Sequence, residues 1–186
     1  MSKFNRVIPV SLIKSSLYLD GELVIWGDRS ASDFKTESAY KRYCTLFKGK
    51  EFGHNSCGYR YGSLPFDGKS RRLTYHTAKW VLLYNEYPNG MIDHIDGNGF
   101  NNNMENLRDV TVSTNNKNAR KRKDNTSGVN GVYFDKSKGK WRAQGYTTEH
   151  GKVINHSLGY FSCIEAARES RLQWESGRGF TNRHGR

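Results

Sequence analysis

The sequence predicts an α+β protein made of two small units. Its 186 residues suffice for one ordinary domain or two small ones. In the first half of the chain, β-forming runs twice flank an Asp-Gly pair, at Asp20-Gly21 and Asp67-Gly68, a pattern typical of hairpins. In the last third, three β-like runs precede a segment with apolar residues at helical spacing. Since 35% of the residues are hydrophobic and 13% are aromatic, we expect folded units with polar surfaces rather than a disordered chain.

The first half of the chain is predicted to contain hairpins, short helices and one strand. Turn residues and alternation define the hairpins and the strand, and apolar spacing defines the helices. The predicted elements are a hairpin over 16–26, weak helical character over 37–47, a hairpin over 57–75, a helix over 76–84, a turn at 88–90 and a strand over 91–96.

The second half begins with an asparagine-rich segment. Eight of the 21 residues from 98 to 118 are Asn, which favours a loop of tight turns and side-chain caps. Ser113 or Thr114 is predicted to cap a helix that extends to residue 121. The later elements are strands over 131–134, 140–146 and 153–159, and a helix over 163–176.

The charge of the chain predicts a polyanionic partner. Thirty Lys and Arg oppose eighteen Asp and Glu, for a net charge of +12. Residues 1–116 hold 15 basic and 12 acidic side chains, whereas residues 117–186 hold 15 and 6. Because cations bind phosphates and release counterions, nucleic acid is the leading partner, held mostly by the C-terminal third.

Cysteine spacing and hydrophobicity predict the cellular compartment of the protein. Cys44, Cys57 and Cys163 show no CxxC spacing, so we expect reduced, mostly buried thiols rather than disulfides or a zinc cage. No signal peptide is evident, and no run approaches the ~18 apolar residues of a membrane span. We therefore expect no membrane partner and a location in the bacterial cytoplasm, including that of a phage-infected cell.

One ordered set of residues carries the chemistry. His76 is followed by a Pro-x-Gly turn, then by Asp93-His94-Ile95-Asp96-Gly97, the asparagine-rich loop, Glu105-Asn106-Leu107-Arg108 and Asn115. A single dipeptide of this kind would be weak evidence, but the whole order over about forty residues is specific. It resembles the HNH endonucleases, in particular the homing enzymes of phages and introns.

The resemblance implies a ββα-metal core, also called a His-Me finger, around one divalent cation. It makes His94 the general base that activates water, and Asp93 and Asn115 the metal ligands. It makes Asn106 the residue that braces the loop through hydrogen bonds. His76 becomes the upstream His of the motif, and a structural histidine packed beside Trp80 is an equal interpretation.

The same residues suit phosphodiester hydrolysis on chemical grounds. A neutral imidazole, with an ordinary pKa of ~6.5, accepts a water proton near neutral pH. One carboxylate and one amide oxygen are hard ligands that suit Mg²⁺ or Mn²⁺, which acts as Lewis acid and template. Neighbouring side chains of a regular strand point to opposite faces, so Asp93 and His94 require an irregular strand end.

Other interpretations of these residues are weaker. A calcium loop starting at Asp93 meets Ile95 where an oxygen ligand is needed, and one starting at Asp96 meets Phe100. Low complexity explains the asparagine content but not the ordered Asp-His and Asn positions. The remaining histidines are expected to be ordinary surface or packing residues: His54, His150, His156 and His184.

The C-terminal segment resembles a second family, the Apetala or ethylene-response-factor DNA-binding domain. The similar residues are 127–134, Gly139-Lys-Trp-Arg-Ala-Gln144, 158–161 and 165–167, within about fifty residues. The resemblance implies a three-stranded sheet laid into the major groove and backed by a helix. Asn130, Tyr133 and Asp135 stand where plant domains usually carry arginines, so no base preference is transferred.

Alternation predicts which face of this sheet meets DNA. Trp141 and Ala143 would pack on Ala166, Ala167 and the helix, which leaves the other face for DNA. The predicted DNA-contacting residues of this module are Asn130, Tyr133, Lys140, Arg142, Gln144 and Tyr146.

A basic run precedes the module. Its five positive residues are predicted to contact the DNA backbone, and a solvated linker or a targeting signal are the other interpretations. They are Lys117, Arg120, Lys121, Arg122 and Lys123.

The sequence thus predicts a sequence-directed HNH endonuclease of the homing type that acts on double-stranded DNA. It would either nick the DNA or cut both strands, and a homodimer is one route to a double cut. The alternatives are a non-catalytic DNA-binding regulator on an HNH scaffold and a restriction or nicking enzyme unrelated to homing. The predicted parts are a β-rich extension (1–56), the nuclease core (57–120), a basic linker (121–128), the DNA-binding domain (129–178) and a tail (179–186).

Overall fold

Both Asp-Gly pairs lie at hairpin turns, formed by Gly21-Glu22 and Asp67-Gly68, in the computed structural model, which describes residues 7–119, 121, 123–149, 152–181, 184 and 185. Strands β1 (Leu17–Asp20) and β2 (Leu23–Trp26) pair in antiparallel fashion. Strands β3 (His54–Ser56), β4 (Tyr59–Phe66) and β5 (Lys69–Thr74) form an antiparallel sheet in that order. Asp67 and Gly68, with φ of 54° and 68°, take the left-handed conformation that the β4–β5 turn requires.

Three helices complete the core around these strands. They are α1 (Val10–Ser16), α2 (Glu37–Leu46) and α3 (Tyr75–Tyr84). The buried side chains include Ile13, Leu17, Val24, Phe52, Leu64, Leu73, Ala78 and Val81. The buried Tyr75 hydroxyl accepts a hydrogen bond of 2.8 Å from the backbone N–H of Val24 and thereby joins α3 to the first hairpin.

After α3 comes a two-stranded sheet of β6 (Met91–His94) and β7 (Leu107–Val110), then α4 (Val112–Lys117). The predicted bounds of this last helix are wrong at both ends. Its N-cap is Thr111, whose hydroxyl accepts a hydrogen bond from the backbone N–H of Thr114, and it ends at Lys117. A threonine oxygen one turn earlier therefore satisfies the exposed N–H groups.

The last third forms a sheet and one helix. Strands β8 (Val132–Asp135), β9 (Lys140–Glu149) and β10 (Lys152–Phe161) pair antiparallel in the order β10-β9-β8, and α5 (Ile164–Glu175) follows. The buried residues of its hydrophobic core include Val132, Ala143 and Ala167. The predicted α+β class is thus confirmed.

The chain divides into two compact units, residues 1–109 and 110–186. This boundary falls before the predicted basic linker at 121–128. Arg120, Arg122 and His150 lie outside the described residues. No helix in the described ranges is both long and apolar enough to cross a membrane.

The expectation of mostly buried cysteines is wrong. Cys57 and Cys163 are exposed and Cys44 is half-buried, all as free thiols. Cys57 lies in the tight turn between β3 and β4 with a φ of 50°, and Cys163 is the N-cap residue of α5. Both positions are ends of elements, where the chain turns through solvent.

Candidate active site

His94 lies at the end of β6 in a cluster of three rings. It is only 5% exposed. Its ring centroid is 5.1 Å from that of His76 on α3 and 5.8 Å from that of Tyr59 on β4, and Tyr59 is also 5.8 Å from His76. The structure therefore brings together two predicted site residues and a tyrosine that the sequence analysis did not select.

Asn102 fixes how the His94 ring presents its nitrogens. The amide Nδ2 of Asn102 donates to the carbonyl oxygen of Phe100 at 3.2 Å, so its Oδ1 faces Nε2 of His94 at 3.2 Å. An amide oxygen accepts, so this contact favours the neutral tautomer that carries its proton on Nε2. In that tautomer the lone pair of the His94 ring is on Nδ1.

A buried lysine forms a hydrogen bond with the backbone of Asn102. Lys79 on α3 is 2% exposed, and its ammonium forms an ion pair with Glu22. The same Nζ donates to the backbone carbonyl of Asn102 at 3.0 Å. This contact joins the loop that orients His94 to the helix that carries His76.

Asn106 holds the loop between β6 and β7 closed. Its Oδ1 accepts from the backbone N–H of Asp96 at 2.9 Å, and its Nδ2 donates to the carbonyl of Asn101 at 2.8 Å and to Oδ1 of Asp96 at 3.0 Å. Burial alone would raise the pKa of Asp96, but hydrogen bonds from Asn101, the Asn98 backbone and Asn106, with nearby His94, lower it below its ordinary value. Asp96 thus acts as an ionised anchor for the loop.

Gly99 lets this loop lie directly against the β3–β4 turn. A Cβ atom at Gly99 would stand 2.3 Å from the carbonyl oxygen of Gly58 and 2.6 Å from the ring of Tyr59. Only a residue without a side chain fits such an approach. The Tyr59 ring is therefore held between the loop and the two histidines.

Asp93 is buried beside an arginine. It is 6% exposed, and its Oδ2 accepts from Nε and Nη2 of Arg108 on β7 at 3.0 and 2.7 Å. Asp93 and its chain neighbour His94 are thus both buried. A strand covered on both faces also buries successive residues, so the irregular strand end stays a prediction.

The Asp93 carboxylate has the chemistry to hold a divalent cation. Hard oxygen donors suit Mg²⁺ or Mn²⁺, but a cation at Oδ2 would compete with Arg108. Within the described ranges, no group of three or more His, Cys, Asp or Glu side chains is arranged to hold a metal. The predicted second ligand, Asn115, belongs to α4 in the second unit, and its role stays a prediction.

Burial makes His76 a poor base. Desolvation, with a further contribution from His94, lowers the pKa of His76 to about 4. His76 is therefore neutral near neutral pH. Trp80, its predicted neighbour, packs on Tyr84 with the rings tilted by 47° and their centroids 4.5 Å apart.

In the second unit, one sheet face carries the predicted DNA-contacting side chains. The register pairs Arg142 with Tyr133 on one side and Tyr160 on the other, and the guanidinium lies over both rings at 6.0 and 5.6 Å. Gln144 donates to the hydroxyl of Tyr146 at 2.7 Å, and Lys140 is exposed. On the opposite face, Ala143 is fully buried toward α5.

The other described residues that were predicted to contact DNA lie outside this sheet face. Asn130 precedes β8, with its amide 3.4 Å from Nε2 of His184. The Lys117 ammonium lies 5.7 Å from the Phe180 ring centroid, and Lys121 and Lys123 are exposed. These lysines are thus distributed along the connection rather than on the sheet.

Sequence reasoning missed four residues of this site. Tyr59, Lys79, Asn102 and Arg108 become site residues only through contacts distant in the chain, such as the pair Lys79–Glu22, separated by 57 positions. The asparagine-rich composition marked the loop but not which amide faces His94. The motif order included Arg108 but did not indicate that it pairs with Asp93.

Comparison with known proteins gives one partial relationship. The chain is 38% identical over 81 residues to "Protein 3.8" of Escherichia phage T7. The aligned region is 43% of this chain and 65% of the phage protein, so just under two thirds of that relative is covered. No protein-family model matches the sequence, and no solved structure matches it.

Proposed function

We propose that this protein is a divalent-metal-dependent DNA endonuclease of the HNH type, acting in homing, that hydrolyses phosphodiester bonds of double-stranded DNA. The observation that carries the proposal is His94, a buried imidazole with Nε2 directed at an amide oxygen and a buried carboxylate as its chain neighbour. An imidazole beside a carboxylate supports the proposal, because it could supply a general base next to a metal ligand.

His94 and the residues around it supply the proton chemistry. Asn102 keeps the proton on Nε2, so Nδ1 can take a proton from the attacking water. Lys79 and Asn106 hold the loop and so keep Asn102 in place. A Mg²⁺ or Mn²⁺ ion at Asp93 would neutralise charge on the phosphate and on the departing oxygen.

The second unit would supply most of the affinity for DNA. Its sheet face presents a guanidinium between two tyrosine rings, with an exposed lysine and a glutamine nearby. Arginine and glutamine side chains read guanine and adenine edges in the major groove, and lysines contact phosphates. The similarity to a phage protein supports action in a phage-infected bacterial cell.

Plasmid cleavage tests this function directly. Supercoiled DNA that contains a bound site is incubated with the protein and Mg²⁺ or Mn²⁺, with EDTA and His94→Ala as controls. We expect open-circular or linear DNA only with metal and with intact His94. One active site cuts one strand at a time, so linear product would indicate dimerisation or two successive events.

A non-catalytic DNA-binding regulator is the second candidate, and one observation favours it. Arg108 already balances the charge of Asp93, which reduces the need for a cation there. This candidate predicts salt-sensitive DNA binding and no metal-dependent product in the same experiment. Arg108→Gln would separate the two, because in a nuclease it should change the metal concentration required for cleavage.

A further inference from the structure

The exposed face of the β3–β4–β5 sheet presents aromatic rings and a positive charge. Alternation along β4 places Tyr59 and Tyr61 on the same face. The strand register sets His54 beside Tyr61, and the His54 ring lies 4.9 Å from the Tyr61 ring in an edge-on contact. The guanidinium carbon of Arg72 lies 3.2 Å from the centre of the Tyr61 ring.

The two faces of this sheet differ in how far they are buried. On the other face, Leu64 and Leu73 are buried in the core of the first unit, and Gly62 lies against the Phe52 ring. Tyr59 is 46% exposed although it is a large aromatic residue. Neither Tyr59 nor Tyr61 belongs to the hydrophobic core of the first unit.

The net positive charge of the first unit is concentrated at this sheet. Residues 54–74 hold four basic side chains and one acidic, whereas the rest of 1–109 holds eleven of each. Arg60 pairs with Glu51, and Arg71 lies 4.0 Å from Asp67. Arg72 forms no ion pair with any described residue, so its charge is available to an anion.

The surface is continuous with the candidate active site. Tyr59 is its last ring, and that ring lies 5.8 Å from both His76 and His94. Side chains at alternate strand positions are about 7 Å apart, about twice the rise per nucleotide of a stacked strand. Neighbouring bases resting on the two tyrosines would therefore be separated from each other.

We propose that this face binds one DNA strand, locally unstacked, where that strand enters the candidate active site. The proposal rests on the proposed nuclease function and adds a second DNA-binding surface to it. Aromatic rings that stack bases, beside a cation that contacts phosphate, are the means by which proteins bind single strands. A duplex would instead be held by the sheet of the second unit.

Binding of labelled DNA to the full chain tests the proposal. Fluorescence anisotropy in EDTA measures the Kd for a mixed-sequence single strand and for its duplex. Tyr61→Leu should weaken single-strand binding about fivefold or more, because stacking on one ring is lost. Arg72→Gln should reduce the slope of log Kd against log salt by about 0.7 for the single strand. Tyr18→Leu and Arg42→Gln, at exposed positions of β1 and α2, are the matched controls.

The outcomes separate this proposal from the nuclease function. Unchanged single-strand binding by Tyr61→Leu and Arg72→Gln, or an equal loss in Tyr18→Leu, overturns the surface while plasmid cleavage by the wild type still stands. A selective loss of single-strand binding, with no cleavage by the wild type, supports the surface and overturns the nuclease. Unfolding curves of each variant exclude a loss caused by misfolding.

Discussion

His76 makes the stability of the first unit depend on pH. Its pKa is about 4 in the folded protein and ~6.5 in the unfolded chain, so the unfolded state binds more protons between these values. Stability is therefore fully present above pH ~6.5 and falls as the pH drops toward ~4, with a loss of about 2 kcal/mol by pH 5. Urea unfolding in EDTA at pH 7 and pH 5 measures this loss.

The control for this prediction is His76→Gln, which cannot titrate. It should show a smaller loss of stability between pH 7 and pH 5 than the wild type, whereas the exposed His54→Gln should behave like the wild type. Equal losses in wild type and His76→Gln would contradict a neutral, buried His76.

Asn102 should act on the reaction through His94 alone. Asn102→Ala removes the acceptor at Nε2 but keeps the backbone carbonyl that Lys79 contacts. We expect a cleavage rate lower by about ten- to a hundredfold, because the base loses its orientation, with the Kd for DNA unchanged. Single-turnover kinetics measure the rate, and the exposed neighbour variant Asn103→Ala is the control.

Among the structural elements, the β6–β7 loop depends on one glycine. Gly99→Ala would force its Cβ into the Gly58 carbonyl and the Tyr59 ring, at a cost of about 1–3 kcal/mol. Gly49→Ala meets no atom within 4 Å and carries only the strain of a φ of +73°, about 1 kcal/mol. If urea unfolding shows a smaller loss for Gly99→Ala than for Gly49→Ala, the close approach of loop and turn is refuted.

The sheet of the second unit provides a test of DNA contact. If Arg142 contacts a phosphate, Arg142→Gln should reduce the slope of log Kd against log salt for the duplex by about 0.9. If Arg142 reads a base, the variant should instead relax the base preference at one position. Lys152→Gln, where Lys152 pairs with Glu149 at the far end of the β9–β10 hairpin, is the control. An Arg142→Gln variant with wild-type affinity, slope and preference would remove this face from the DNA interface.

Local chemistry explains which elements were predictable from the sequence. The Asp67-Gly68 turn, the alternation in β9 and the apolar spacing of α5 each act over a few residues, and each formed as expected. The cap of α4 was misplaced because Thr111, Ser113 and Thr114 offer equivalent hydroxyls within one turn. Helix α1 was missed because its seven residues give too few repeats of the helical period.

At the scale of the whole molecule, the sequence predicted two α+β units but not their internal contacts. The motif order selected His94, Asp93 and Asn106. It did not predict that Arg108 would form an ion pair with Asp93 or that Tyr59 would lie beside both histidines, because those contacts depend on the packed fold. The division at residue 109 likewise follows from tertiary contacts, which no local pattern reports.

The role of His94 as general base is tested by the rate of metal-dependent plasmid cleavage by His94→Ala, with and without added imidazole, alongside the Kd of this variant for the same DNA. We predict a rate at least about a hundredfold below that of the wild type, partial recovery with imidazole, and unchanged binding. Cleavage by His94→Ala at the wild-type rate would contradict the assignment of His94 as the general base.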